Sequence, residues 1–303
     1  MKHDTQIYTK DIAMSFQNNK VLNNISLDIA KGEIFGLLGP SGAGKTTLIK
    51  ILTGQLKQTS GEVSLFGKEI DLIDRSCMRE IGMVLDNTGL YERLSCYDNL
   101  LLFARIYGID KAEIDIVLQK VGLQDAKKKS VNKLSKGMKQ RLVFARAIMH
   151  KPKILFLDEP TSGLDPVIAS SIHTLIMEEK KRGTTVFLTT HNMEEATKLC
   201  DYVALLNKGN IIEFGNPYEL CRRYNHQNKL IILTRAGEQI ELMNHESSAT
   251  KVADYLSNNE IESIHSTEPN LETVFMELTG RGLDADEHEK SNSYFYEAGK
   301  RYL

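Results

Sequence analysis

Residues 32–54 constrain the fold more than any other stretch of this sequence. Gly32-Glu33-Ile34-Phe35-Gly36-Leu37-Leu38 is apolar without alternation, the pattern of a strand buried on both faces of a parallel sheet. It runs directly into Gly39-Pro40-Ser41-Gly42-Ala43-Gly44-Lys45-Thr46-Thr47. Leu48, Ile49, Ile51 and Leu52 then predict a helix with an apolar side that ends at Gly54. Strand, small-residue loop and helix in this order aim backbone N–H groups and the positive end of a helix dipole at one point. The spacing G-x-x-x-x-G-K-T is that of a loop wrapping phosphate oxygens, with Lys45 reaching the β- and γ-phosphates and Thr46 offering a hydroxyl oxygen to Mg²⁺.

Two further apolar runs end in polar groups. Ile154-Leu155-Phe156-Leu157 leads into Asp158-Glu159, and Thr185-Val186-Phe187-Leu188-Thr189-Thr190 leads into His191. Side chains at strand ends converge on the ligand edge of an α/β sheet. Asp158 suits the acid that positions Mg²⁺, and Glu159 suits a base that polarises an attacking water. The plainer alternative is two carboxylates capping a strand. His191 closes a buried-strand pattern and is placed to meet a γ-phosphate, whereas His173, in a helical stretch, reads as structural. Phosphoryl transfer needs charge neutralisation and in-line positioning more than covalent help, which Lys45, Mg²⁺ and Glu159 can supply.

The remaining pattern divides the chain. Residues 1–224 read as the α/β core, with a helical insertion over about 87–152. Inside that insertion Ser95 and Asp98 fit a capping box, and Ile114, Val117, Leu118 and Val121 share one helix face. Val203–Leu206 and Ile211–Phe214 flank Asn207-Lys208-Gly209-Asn210 as a hairpin. Over 225–280, short strands at 230–233 and 240–242 and helices at 252–256 and 271–278 predict a small α+β appendage. Residues 281–303, charged and then rich in aromatics, read as a solvated tail or a docking segment.

Composition narrows the function. The 303 residues carry 38 Lys plus Arg against 40 Asp plus Glu, and 41% are apolar, so the chain is globular without a basic field for nucleic acid or anionic lipid. Nucleic acid is therefore not an expected partner. The apolar runs fall far short of the roughly 20 residues of a spanning helix. The start Met1-Lys2-His3-Asp4 has no secretory pattern, so export of the chain is not expected. Four Cys without C-x-x-C spacing read as free thiols in a reducing compartment.

Leu134-Ser135-Lys136-Gly137-Met138-Lys139-Gln140-Arg141, ahead of the Asp158-Glu159 strand, resembles the signature of ABC-type ATPases, and the resemblance covers about residues 5–220. It implies a mainly parallel sheet with an antiparallel β portion, the helical insertion, and ATP with Mg²⁺ as ligands. It also implies a second ATPase subunit, homologous or identical, with Ser135 and Gly137 of one copy covering nucleotide held by residues 39–47 of the other. By the same resemblance, Ser162-Gly163-Leu164-Asp165 links the two sites through Asp165, and Phe16 stacks on adenine. Where the family has Gln after Ile81–Leu85, this sequence has Asp86. An Asp oxygen can ligate Mg²⁺ but adds charge and lacks amide donors, so Asp86 is expected to keep metal contact and to alter rate or coupling. Lys136 stands where Gly is commoner.

Pro269-Asn270-Leu271-Glu272-Thr273-Val274-Phe275-Met276-Glu277-Leu278-Thr279-Gly280-Arg281 resembles the C-terminal motif of ATPases of antibiotic, lipid and peptide exporters, including the daunorubicin-resistance type. It implies a separately encoded integral membrane permease and a place on the cytoplasmic face of the membrane; by family analogy the loop after Asp86 and the insertion near Tyr91 to Tyr97 meet that permease, and Tyr97 reads equally as ordinary helix packing. Two alternatives stand beside this reading: a soluble ABC ATPase acting on ribosomes or DNA, and a slow regulatory nucleotide-binding subunit. One glycine loop, one signature and no sustained heptads count against the first. Intact Lys45, Asp158, Glu159 and His191 count against the second.

Overall fold

In the computed structural model, which describes residues 5–85, 89–226, 228–267 and 269–280, the chain opens with two long strands, β1 (Thr5–Phe16) and β2 (Asn19–Ala30). β3 (Ile34–Leu38) and α1 (Lys45–Leu52) flank the glycine loop, and β4 (Ser60–Leu65), β5 (Lys68–Glu69), the short α2 (Arg75–Met78) and β6 (Ile81–Val84) follow. Three helices, α3 (Cys96–Tyr107), α4 (Ala112–Lys120) and α5 (Lys136–Ile148), form the helical insertion. Next come β7 (Ile154–Asp158), α6 (Pro166–Lys181), β8 (Thr185–Thr190), α7 (Met193–Leu199) and the hairpin β9 (Tyr202–Asn207) and β10 (Asn210–Gly215). The chain continues through α8 (Pro217–Arg223), β11 (Lys229–Thr234), β12 (Gln239–Met243), α9 (Ala249–Ser257), β13 (Ile261–Ser266) and α10 (Leu271–Thr279).

The central sheet runs β10-β9-β3-β8-β7-β6, parallel except for the β9–β10 hairpin. β3 lies between β8 and β9, and all five of its residues are buried. Its alternate side chains feed two cores. Ile34 and Leu38 join Val186, Leu188, Val203 and the helical insertion, whereas Phe35 and Leu37 join Phe156, Phe187, α1 and the first two strands. Each such fully buried apolar side chain stabilises the fold by about 1.5–3 kcal/mol relative to exposure. A second, antiparallel sheet, β2-β1-β4-β5, covers the α1 side. β1, β2 and β4 are not predicted by the sequence pattern, because register shifts along β1 break the alternation and Asp11 turns into the left-handed region at φ 52°.

The helical insertion forms as its caps predict. Asp98 N donates to Ser95 Oγ at 3.0 Å, while the Ser95 hydroxyl donates to Asp98 Oδ2 at 2.6 Å. Ile114, Val117, Leu118 and Val121 are buried together. The insertion is also tied to the core by charge: Lys120 Nζ lies 2.7 Å from Oε1 of fully buried Glu179, whose Oε2 is 2.6 Å from Arg182. Among the described residues no cysteine forms a disulfide, and Cys77, Cys96 and Cys200 are buried.

Residues beyond α8 build a three-stranded antiparallel sheet, β12-β11-β13. Within the stretch expected to form the appendage, α10 turns back onto the α/β core. Its Leu271, Val274 and Phe275 are buried in the same apolar cluster as Leu199 and Leu220. Asn270 caps it by accepting from Thr273 N at 2.8 Å, and Gly280 ends it at φ 69°. No helix among the described residues is long and apolar enough to cross a membrane. The tail residues 281–303 lie outside the described residues.

Because Phe275 is packed into the core, Phe275→Ala is expected to destabilise the whole α/β unit by about 3–5 kcal/mol. Urea unfolding followed at β-sheet and nucleotide-binding signals measures this. An unmoved main transition would show that α10 contributes nothing to the core.

Candidate active site

The glycine loop leaves the C-terminal end of β3 at the edge where β7 and β8 also end. Its backbone is packed too closely for side chains at two points. A Cβ on Gly39 would collide with Leu206 O of β9, and one on Gly44, whose φ is 112°, would lie 2.7 Å from Leu22 Cδ2 of β2. Gly44 is the N-cap of α1 and supplies no capping side chain, so the N–H groups of the first turn remain for an external acceptor. Pro40, Ser41, Gly42 and Ala43 complete the loop between them, and Thr46 and Thr47 are half-buried in that first turn.

Lys45 folds back over this loop. Only 5% of it is exposed, and its Nζ donates to Gly39 O at 2.7 Å and Pro40 O at 3.1 Å. It also lies 3.3 Å from Glu159 Oε1. A desolvated ammonium needs such acceptors, and a phosphate would compete for it by charge.

β7 and β8 place the carboxylates through their parallel register, in which Asp158 pairs with Thr189. The Thr189 hydroxyl donates to Asp158 Oδ1. Asp158 Oδ2 is buried and has no hydrogen-bond partner among the described residues, which fits a carboxylate suited to a cation. Glu159 N donates to Thr189 O at 3.0 Å and to Thr189 Oγ1 at 3.2 Å. The backbone there takes φ 46°, a left-handed conformation that costs a non-glycine residue about 1–3 kcal/mol. Its carboxylate reaches Lys45 with one oxygen and, with the other, accepts from His191 Nδ1 at 3.1 Å. The His191 hydrogen bond, with help from the Lys45 charge and against the effect of burial, holds the Glu159 carboxyl down to about 2. It is therefore ionised at neutral pH.

Lys45, Glu159 and His191 are thus joined side chain to side chain, and Asp158 immediately precedes Glu159 at the end of β7. Thr189, which holds the Asp158 carboxylate and the Glu159 backbone N–H, escapes sequence reading because it is one apolar-strand threonine among several. Its signal is the register opposite Asp158. Phe16 ends β1 with its ring half exposed, on the hairpin whose Leu22 abuts Gly44. Asp86 lies outside the described residues.

A second cluster gathers the signature residues. Ser135 is the N-cap of α5 and accepts from Met138 N at 3.2 Å. Gly137 packs so tightly on α6 that a Cβ would lie 2.9 Å from Ile168 Cγ2, and Asp165 caps α6 by accepting from Ile168 N at 3.0 Å. The Lys136 ammonium lies against Gly163 of the same turn. Gln140 Nε2 donates to Pro160 O at 2.8 Å and so connects the signature helix to the residue after Glu159. His173 and Glu195 join from α6 and α7, with Nε2 to Oε1 at 2.9 Å.

Comparison with known proteins agrees with this geometry. The ABC transporter family model matches residues 22–162. A fluoroquinolones export ATP-binding protein of Mycobacterium tuberculosis is 40% identical over 268 residues, covering 86% of this chain and 88% of the relative. The bacitracin transport ATP-binding protein BcrA of Bacillus licheniformis is 35% identical over 301 residues, covering 92% and 98%. Among solved structures, cbiO1 from Clostridium perfringens, part of the ABC transporter complex cbiONQ, superposes with a TM-score of 0.65 at 31% identity, covering 74% of this chain and 95% of that one. The chain belongs to the ABC transporter family as an ATP-binding, ATP-hydrolysing subunit, in the branch of ATPases of antibiotic exporters.

Proposed function

We propose that this subunit hydrolyses ATP with Lys45, Asp158, Glu159 and His191 at a site completed by Ser135, Gly137 and Asp165 of a second copy or close homologue, and so drives a separate membrane permease in exporting an antibiotic-like compound. The observation that carries the reading is the Glu159 carboxylate, ionised and held between Lys45 and His191 beside Asp158.

Residues 39–47 bind the phosphates through backbone N–H groups, and Lys45 exchanges a carbonyl or Glu159 for phosphate oxygen. Asp158 Oδ2 and the Thr46 hydroxyl, with Asp86, would hold Mg²⁺, which supplies neutralisation of phosphate charge when bound. Glu159, released from Lys45, orients and polarises the attacking water, and His191 steadies that carboxylate and faces the γ-phosphate. Phe16 stacks on the adenine. ATP holds two copies closed, and hydrolysis lets them open.

For the permease, a cavity of about 270 Å³ is lined by Met83, Leu85, Phe103, Tyr107, Arg146 and His150. Its walls are preorganised: Arg146 sits 4.8 Å over the Phe103 ring, and Tyr107 stacks on His150 at 4.4 Å. Exposed Tyr91 and Ile106 extend the apolar surface nearby. An aromatic and apolar recess with one fixed cation suits a short amphipathic segment of the permease. Docking there would hold the subunit at the cytoplasmic membrane face. The names of the relatives support an antibiotic-like cargo.

Glu159→Gln is expected to keep ATP binding, to lower turnover by about 100-fold or more, and to accumulate a closed dimer with ATP, read by size-exclusion and single-turnover hydrolysis. Wild-type turnover would remove Glu159 from this role. Since a His191 hydrogen bond is the main cause of the low Glu159 value, His191→Ala is expected to raise that value in an NMR carboxyl titration. The sign follows: a depressed carboxyl stabilises the fold fully above the ordinary value of 4.5, and this is lost as pH falls towards about 2. An unchanged titration would dismiss His191 as the cause. Phe103→Glu is expected to cut recovery of the copurifying membrane chain by about tenfold, and undiminished recovery would place the permease elsewhere.

A further inference from the structure

The strained backbone at Glu159 is followed by three consecutive attachments, each from a different element. Glu159 N is held by Thr189 of β8, Pro160 O by Gln140 of α5, and the Thr161 hydroxyl donates to Glu195 Oε1 of α7 at 2.6 Å. Ser162 N then closes the turn on Glu159 O at 3.1 Å. A non-glycine residue keeps a left-handed conformation only where its surroundings over-determine it, and here they do.

Glu195 is the least expected of these anchors. It is 2% exposed, in the first turn of α7, where Asn192 Oδ1 accepts from its N–H at 3.0 Å. His173 of α6 donates to the same oxygen that takes the Thr161 hydroxyl. Burial alone would raise its carboxyl, yet hydrogen bonds from His173, Thr161 and Thr190 hold it below the ordinary carboxylate range. Glu195 is thus a buried carboxylate whose Oε1 takes donors from two segments, while its Oε2 has no hydrogen-bond partner among the described residues. The turn of chain that presents it also presents His191, so one helix start grips the Glu159 side chain through His191 and the Thr161 side chain through Glu195. Cutting this anchor would leave the Thr161 hydroxyl and the His173 ring without their buried acceptor and free the turn to relax.

We propose that Glu195 is a positioning residue for hydrolysis: by holding Thr161 it locks the turn after Glu159 in the strained conformation that aims the carboxylate. The inference rests on Glu159 acting as the base. Among the described residues neither Glu195 nor the Thr161 hydroxyl hydrogen-bonds the glycine loop, so their loss should spare ATP binding.

The test is steady-state ATPase kinetics on the full chain, combined with single-turnover rates in a Glu159→Gln background. Thr161→Val and Glu195→Ala are each expected to lower kcat about tenfold with KM for ATP within about twofold, and Thr161→Ser, which restores the hydroxyl, to recover the rate. In the Glu159→Gln background, either change is expected to leave the residual rate unaltered, because the group being aimed is already gone. Unchanged kcat in both variants, a further tenfold loss in the Glu159→Gln background, or a parallel loss of ATP affinity would each overturn the inference. Wild-type turnover in Glu159→Gln alone would instead overturn the base assignment, and the inference with it.

Discussion

The contact on which the rest of the site depends is backbone against backbone. At Gly39 the loop leaving β3 presses on Leu206 O, and at Gly44 it presses on β2, with no space for a side chain at either point. That fit brings the loop down to the ends of β7 and β8 and turns Lys45 inward. An ammonium buried in this way must be compensated, and the Gly39 and Pro40 carbonyls and Glu159 do so. The charge of the loop lysine is thereby answered by that of a strand end, and the glycine loop and the Glu159 carboxylate are organised as one unit.

The second cluster follows a different logic. Ser135, Gly137 and Asp165 sit at two adjoining helix N-termini, where side-chain caps satisfy N–H groups and Gly137 lets α5 approach α6. Two positive helix ends are thereby brought side by side. Gln140, reaching from the signature helix to Pro160, makes the two halves of one subunit mechanically continuous.

Much of this was legible in the sequence because it depends on local rules. Uninterrupted apolar runs mark strands buried on both faces, and β3, β7 and β8 are such strands. Ser95 and Asp98 mark a helix start, and Ile114 to Val121 mark a helix face. Elements that escape do so for identifiable reasons. β1 carries register shifts that destroy its alternation, and β13 has Ile261 and Ile264 three apart, a helix-like spacing in a strand. α8 carried a readable start in Asn216-Pro217 but is short. At the site, residues that act on their own charge were found, whereas Thr189, Gln140 and Glu195 were not. Their roles arise from which strand or helix lies beside which, and that is set by tertiary packing.

The route of the chain after α8 gives the small sheet an unusual attachment. It leaves the core from α8 and comes back to it through α10, which lies against α7 and α8 with Leu271, Val274 and Phe275 as the anchor. The sheet is in effect a loop with both feet planted beside the helix that begins just past His191. Whatever grips or tilts that outlying sheet pulls on two neighbouring footings at once, so a load placed on it is borne next to the helix that follows His191.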